Sequence, residues 1–70
     1  MDRIIYICNG NPGALSVFRI IIEKYHDKLD DIIIKLENNN ITGSDIWIIY
    51  KSLYKNIDLF IDYDFDNYKV

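Results

Sequence analysis

The sequence is short of almost everything that marks a chemical site. It holds one cysteine, Cys8, one histidine, His26, and one proline, Pro12, in 70 residues. One cysteine excludes a disulfide within the chain, and one cysteine with one histidine excludes a zinc quartet. Arginine occurs twice, at Arg3 and Arg19, and the formal net charge is −3 with a pI of about 4.8. Nothing in that balance resembles the Lys/Arg stripe that phosphate-backbone binding uses, so nucleic acid is not the expected partner. The nearest approach to such a stripe is Lys24, Lys28 and Lys35. No apolar run approaches the roughly 18 residues of a membrane span. Only five apolar residues, Ile4 to Cys8, precede Asn9, too few for the core of a signal peptide. The expectation is a protein of a reducing, cytoplasmic compartment with no membrane partner.

What is present is aliphatic. Fifteen residues are Ile and half the chain is hydrophobic. A chain this short forms one domain, residues 1–70, and buries only about 60% of its unfolded surface. Small folds often need a staple. With disulfides and metals excluded, self-association is the one left, and a homo-oligomer is expected.

Turn signals divide the chain. Asp2 to Cys8 is apolar after Asp2 and Arg3, and Asn9-Gly10-Asn11-Pro12-Gly13 is the strongest punctuation. Asn11 is a good N-cap and Pro12 suits the first helical position. From there Leu15, Phe18, Ile22 and Tyr25 recur at i, i+3, i+7 and i+10, widened by Val17 and Ile21, which predicts an amphipathic helix of about 14 residues. Asp27 can cap a second helix with the stripe Leu29, Ile32, Ile33 and Leu36, ended by Asn38-Asn39-Asn40. Thr42-Gly43-Ser44-Asp45 reads as a capping-box variant in which the Thr42 hydroxyl accepts a backbone N–H. The helix it opens carries Ile46, Ile49, Tyr50 and Leu53, with Trp47 and Tyr54 beside them. Ile57, Phe60 and Ile61 suggest a last helix after the break at Asn56, fading into a solvated acidic-aromatic tail over 62–70. The expected fold is therefore all-α, four or five short helices in a compact bundle. The alternative is a small α/β domain, because Ile4–Cys8, Ile32–Leu36, Ile46–Tyr50 and Asp58–Phe65 are rich in strand-favouring residues. The helical reading is preferred because the caps sit where helices would begin.

Two stretches carry a family resemblance. Gly10-Asn11-Pro12-Gly13-Ala14-Leu15-Ser16-Val17 resembles a GNPGAxxV signature. Ile41-Thr42-Gly43-Ser44-Asp45-Ile46-Trp47-Ile48-Ile49-Tyr50-Lys51 resembles a GI-x-GS-x-IW-x-x-YKD signature, with Ser52 where the final Asp stands. The pair, roughly residues 9 to 61 with the acidic-aliphatic Asn56–Ile61, is similar to small helical proteins of bacteriophages and large DNA viruses. No activity is attached to that family, so the resemblance implies a helical viral protein and little about chemistry.

Several motifs invite a chemical reading. The Asn9–Gly13 turn could hold a phosphate at a helix start, but it lacks the lysine and spacing of a phosphate loop. Gly-Asn-Pro-Gly also occurs near oxyanion holes of α/β-hydrolases, whose nucleophile elbow and full-sized sheet this chain cannot supply. Asp62, Asp64 and Asp66 imitate the first ligands of an EF-hand loop, but Asn67 stands where Gly is needed and no Glu follows at the twelfth position. His26 has no triad partner, and Cys8 reads as a small buried hydrophobe. No nucleophile–base pair or metal set is visible, so the chain is not expected to be an enzyme or to carry a cofactor.

The expected function is that of a non-enzymatic interaction module, a viral accessory protein acting on a host component. The alternative is a small-ligand sequestering protein. Its site would combine Gly10, Asn11, Gly13, Thr42, Gly43 and Ser44, whose helix starts hold a phosphate or nucleotide anion, with Trp47 or Tyr50 stacking on the base. A glutamate at 13 would then repel the anion and leave the fold intact.

Overall fold

A computed structural model of the chain describes residues 2–69. In order, the elements are α1 (Asp2–Cys8), α2 (Pro12–Tyr25), a 3-10 turn (His26–Lys28), α3 (Leu29–Asn38), α4 (Ser44–Ser52), α5 (Ile57–Ile61) and a second 3-10 turn (Phe65–Asn67). Among the described residues all regular structure is helical, in agreement with the all-α expectation. The strand-like runs lie in α1, α3, α4 and α5 with the turns after it.

Capping explains most boundaries. The Asn11 side chain accepts the Ala14 N–H at 3.0 Å and Pro12 follows it, so α2 starts where the sequence places it. Asn56 caps α5 in the same way, accepting from Asp58 and Leu59. Helix α3 ends in a Schellman motif. Asn40 is left-handed at φ 55°, its N–H donates to the Glu37 carbonyl, and the Ile41 N–H donates to that of Leu36. Ile41 and Leu36, fully buried, supply the apolar contact that accompanies the motif.

Two expected caps are not made. Asp27 lies within the 3-10 turn and no side chain caps α3. Thr42 does not cap α4, because Gly43 occupies the N-cap position and makes no side-chain bond. There it adopts φ 54°, ψ −124°, a conformation open only to glycine. This points the Gly43 N–H at the Ile7 carbonyl, 2.8 Å away, which closes the end of α1.

Helix α2 is the hub. It touches α1, α3, α4 and α5, and its buried face is Ala14, Val17, Phe18 and Ile21. That face is rotated from the expected stripe. Leu15 and Ile22 are each 45% exposed, because α4 packs on the Gly13–Ala14–Val17 side and turns them outward. Helix α5 has five residues, far too short to be helical in isolation, and is held by burial of Ile57, Phe60 and Ile61.

The tail departs from the solvated expectation. Its carboxylates are exposed, but Phe65 is buried edge-on against Phe60, with ring centroids 5.2 Å apart. Asn39 donates to Asp66 at 2.9 Å and Lys69 to the Asn40 carbonyl at 2.6 Å, so polar bonds hold the tail on both sides of the aromatic anchor.

Two charged clusters join elements distant in sequence. Arg3 on α1 forms a bidentate pair with Glu37 on α3, at 2.7 and 3.3 Å. Asp58 on α5 accepts from both Tyr25 and Lys24 at the end of α2. The bond from Arg3 holds the Glu37 carboxyl below its ordinary range, and the bond from Tyr25, with help from Lys24, does the same for Asp58. The Tyr25 phenol is pushed up by that bond. The carboxylate contributions are full above about pH 4–5 and are lost as pH falls through the lowered folded values. The Tyr25 contribution runs the other way and is lost as pH rises above about 10. Burial also pushes the Cys8 thiol up, so stability begins to fall above the ordinary thiol value. Thermal melts should be flat from about pH 5 to about pH 8 and fall on both sides, and Tyr25→Phe should lessen the part of the fall above about pH 10.

Two substitutions test the packing. Phe65→Ala should cost roughly 3–5 kcal/mol in urea denaturation, where a solvated tail would lose nothing. Tyr54, 89% exposed, is left-handed at φ 60° in the Schellman end of α4. Tyr54→Gly should therefore stabilise the chain by about 0.5–1 kcal/mol.

Candidate functional site

The two glycine turns do meet. Gly43 approaches the α1–α2 turn, where a Cβ on it would lie 3.5 Å from the Asn9 Cβ and 3.6 Å from the Cys8 carbonyl oxygen. Trp47, one turn into α4, lies on Gly13 at the start of α2. A Cβ built on Gly13 would fall 2.6 Å from the Trp47 Cδ2 atom. Of the eight residues considered from sequence, Gly13, Gly43 and Trp47 are thus drawn into one region.

The geometry there is that of packing. The indole fills the space a ligand would take over Gly13. Asn11 has committed its side-chain oxygen to Ala14 N–H, and the Thr42 and Gly43 carbonyls accept from Asp45 and Ile46. Tyr50 is buried beneath Trp47, with ring centroids 5.8 Å apart, so it offers no open face for stacking. Gly10 stands exposed, with nothing within 4 Å of where a Cβ would lie, and Ser44 faces solvent. Gly13→Glu is therefore not a clean test of anion binding, because any side chain at 13 must first displace the indole.

The outer edge of Trp47 is different. The Lys51 and Lys55 ammonium groups stand 5.9 and 5.6 Å from the ring. Lys51 reaches it as the i+4 neighbour; Lys55 reaches it from the left-handed turn after α4.

The remaining candidates resolve simply. Cys8 is fully buried and its thiol is pushed up by burial, which suppresses the reactive thiolate. His26 is exposed in the 3-10 turn. Asp64 accepts from Asn67 and Asp66 from Asn39, and among the described residues no three His, Cys, Asp or Glu side chains gather as a metal set. Lys24 is paired with Asp58, while Lys28 and Lys35 share a hollow of about 230 Å³ with Asp31 and Asp62, so the lysine stripe is charge-compensated. Among the described residues no helix is long and apolar enough to cross a membrane.

Neither a family model, nor a curated protein, nor a solved structure matches this chain.

A surface expected to belong to the core proves to be open. Ile4 and Ile5 of α1 and Leu15, Phe18 and Ile22 of α2 line a groove of about 300 Å³, with Arg19 and Glu23 at its rim. Ile5 is 56% exposed. A signal for it was present: Ala14, Leu15, Val17, Phe18, Ile20, Ile21 and Ile22 span too wide an arc for a helix with a single buried face.

Gly13→Ala should cost about 1–3 kcal/mol by overpacking against Trp47. In a Trp47→Ala background the same change should cost much less, and a double-mutant cycle in urea should show that coupling. Additive losses would mean that the two residues do not meet.

Proposed function

We propose that this chain is a non-enzymatic interaction module that docks a partner through the α1/α2 groove. The observation that carries the reading is the groove itself. Monomeric surfaces scatter their large aliphatic residues, whereas here Ile4, Ile5, Leu15 and Ile22 are contiguous and bordered by charge, the pattern of a binding surface. Resemblance of the Gly10–Val17 and Ile41–Lys51 stretches to small proteins of phages and large DNA viruses supports a viral accessory role. In that role it would act on a host component in the host cytoplasm.

A second reading is favoured by one observation, the two lysines beside Trp47. A small anion carrying an aromatic ring, such as a nucleotide, would meet the ammonium groups of Lys51 and Lys55 at the outer edge of the indole. In this form of the sequestering hypothesis the ligand sits beside Trp47, away from the glycine turns.

Trp47 is the single tryptophan, so its fluorescence reports on that edge directly. The interaction-module reading expects no saturable change on titration with ATP. It also expects no nucleotide-sized mass on the protein in native mass spectra after gentle purification from cells expressing it. A saturable quench that Lys51→Gln or Lys55→Gln abolishes would replace it with the sequestering reading.

A further inference from the structure

We infer that the turn between α1 and α2 is a site of spontaneous covalent modification, at which the Gly10 amide nitrogen displaces ammonia from the Asn9 carboxamide and residue 9 becomes aspartate or isoaspartate.

The reaction needs only water besides the chain itself. The Gly10 nitrogen attacks the Asn9 Cγ. A Cγ–N bond forms, the Cγ–Nδ2 bond breaks, and the amide proton departs with Nδ2 as ammonia. Water then opens the resulting cyclic imide. Attack at Cγ gives aspartate with the original backbone. Attack at the main-chain carbonyl gives isoaspartate, in which the chain runs through Cβ and Cγ.

The first observation is a free nucleophile. Asn9 and Gly10 are both exposed in the turn. The Asn9 N–H donates to the Ile5 and Tyr6 carbonyls and the Asn11 N–H to that of Cys8, but among the described residues the Gly10 N–H between them donates to nothing. A Cβ at Gly10 would meet nothing within 4 Å, and glycine brings no side chain of its own to hinder the attack.

The second observation is an untethered electrophile. The Asn9 carboxamide makes no hydrogen bond among the described residues, so it is free to turn toward the Gly10 nitrogen.

The third observation is the contrast with the other six of the seven asparagines. Asn11 precedes Pro12, whose nitrogen has no proton to lose. The N–H groups that follow Asn38, Asn39, Asn40 and Asn67 are committed to backbone carbonyls. Asn56 holds its carboxamide oxygen on the Asp58 and Leu59 N–H groups, and the β-branched Ile57 crowds the approach. Only Asn9 combines a free following N–H, an unheld carboxamide and glycine as its neighbour.

The turn is also a packing element. The Gly43 N–H closes α1 on the Ile7 carbonyl, and a Cβ on Gly43 would lie 3.5 Å from the Asn9 Cβ. Isoaspartate adds a methylene to the main chain there, whereas aspartate changes only the charge.

Isoelectric focusing of the folded protein during incubation in neutral to mildly alkaline buffer tests this, with modified residues located by fragmentation mass spectrometry of tryptic peptides. An acidic band should grow as the net charge passes from −3 to −4, one carboxamide becoming one carboxylate. It should grow faster at the higher pH, because base removes the attacking amide proton. The modification should map to residue 9 in the peptide Ile4–Arg19. Asn9→Gln should lose the band. Asn9→Asp, which keeps a residue that tolerates the left-handed φ of 49°, should run with the modified band from the start and gain no other. The isolated isoaspartate form should melt below Asn9→Asp, which matches it in charge. A folded chain that keeps its charge while urea-unfolded chain acidifies at residue 9 would overturn the proposal, as would an acidic band that maps to any other asparagine.

Discussion

The seat of the Trp47 indole on Gly13 sets the distance between α2 and α4, and most of the molecule is arranged around that approach. With no side chain at 13, the two helices come close, and Ala14 and Val17 of α2 and Ile46 and Ile49 of α4 are all buried. The same contact brings the α1–α2 turn against the loop before α4, where the Gly43 N–H closes the end of α1. From Trp47 a chain of aromatic contacts runs through Tyr50, Phe60 and Phe65 to Tyr63 and Tyr68. A helix of five residues and a short tail are thereby tied to the centre of a domain too small to hold them by length or propensity.

That contact also consumes the site that the glycine turns suggested. A helix start with glycines offers N–H groups and close approach, the two features an anion needs. In this fold the close approach is taken by an indole, and the cap by Asn11. What remains open lies on the other side of α2, where Leu15 and Ile22 face away from the core. The exposed apolar groove is therefore a consequence of how α2 is rotated, and that rotation follows from which side of α2 carries its smallest residues.

Much of the fold is legible in short stretches of sequence. Asn11-Pro12 marks the start of α2 and Asn56 that of α5 because capping depends on a few consecutive residues and no tertiary contact. The Asn run ends α3 for the same local reason. Thr42 misled because Gly43 follows it and takes a conformation that moves the cap one residue on. Phe65 misled because three carboxylates surround it in sequence, while its ring packs on Phe60 and leaves them in water.

The sequence by itself determined the helical periodicity and most of the breaks, since each depends on residue type and near neighbours. Only the tertiary structure decided which apolar residues of α2 are buried and which are offered to solvent. A helix with aliphatic side chains over more than half its circumference can face the core in several ways. The choice among them is made by the partner helix that can approach most closely, and here that is α4, through a glycine that leaves room for a tryptophan.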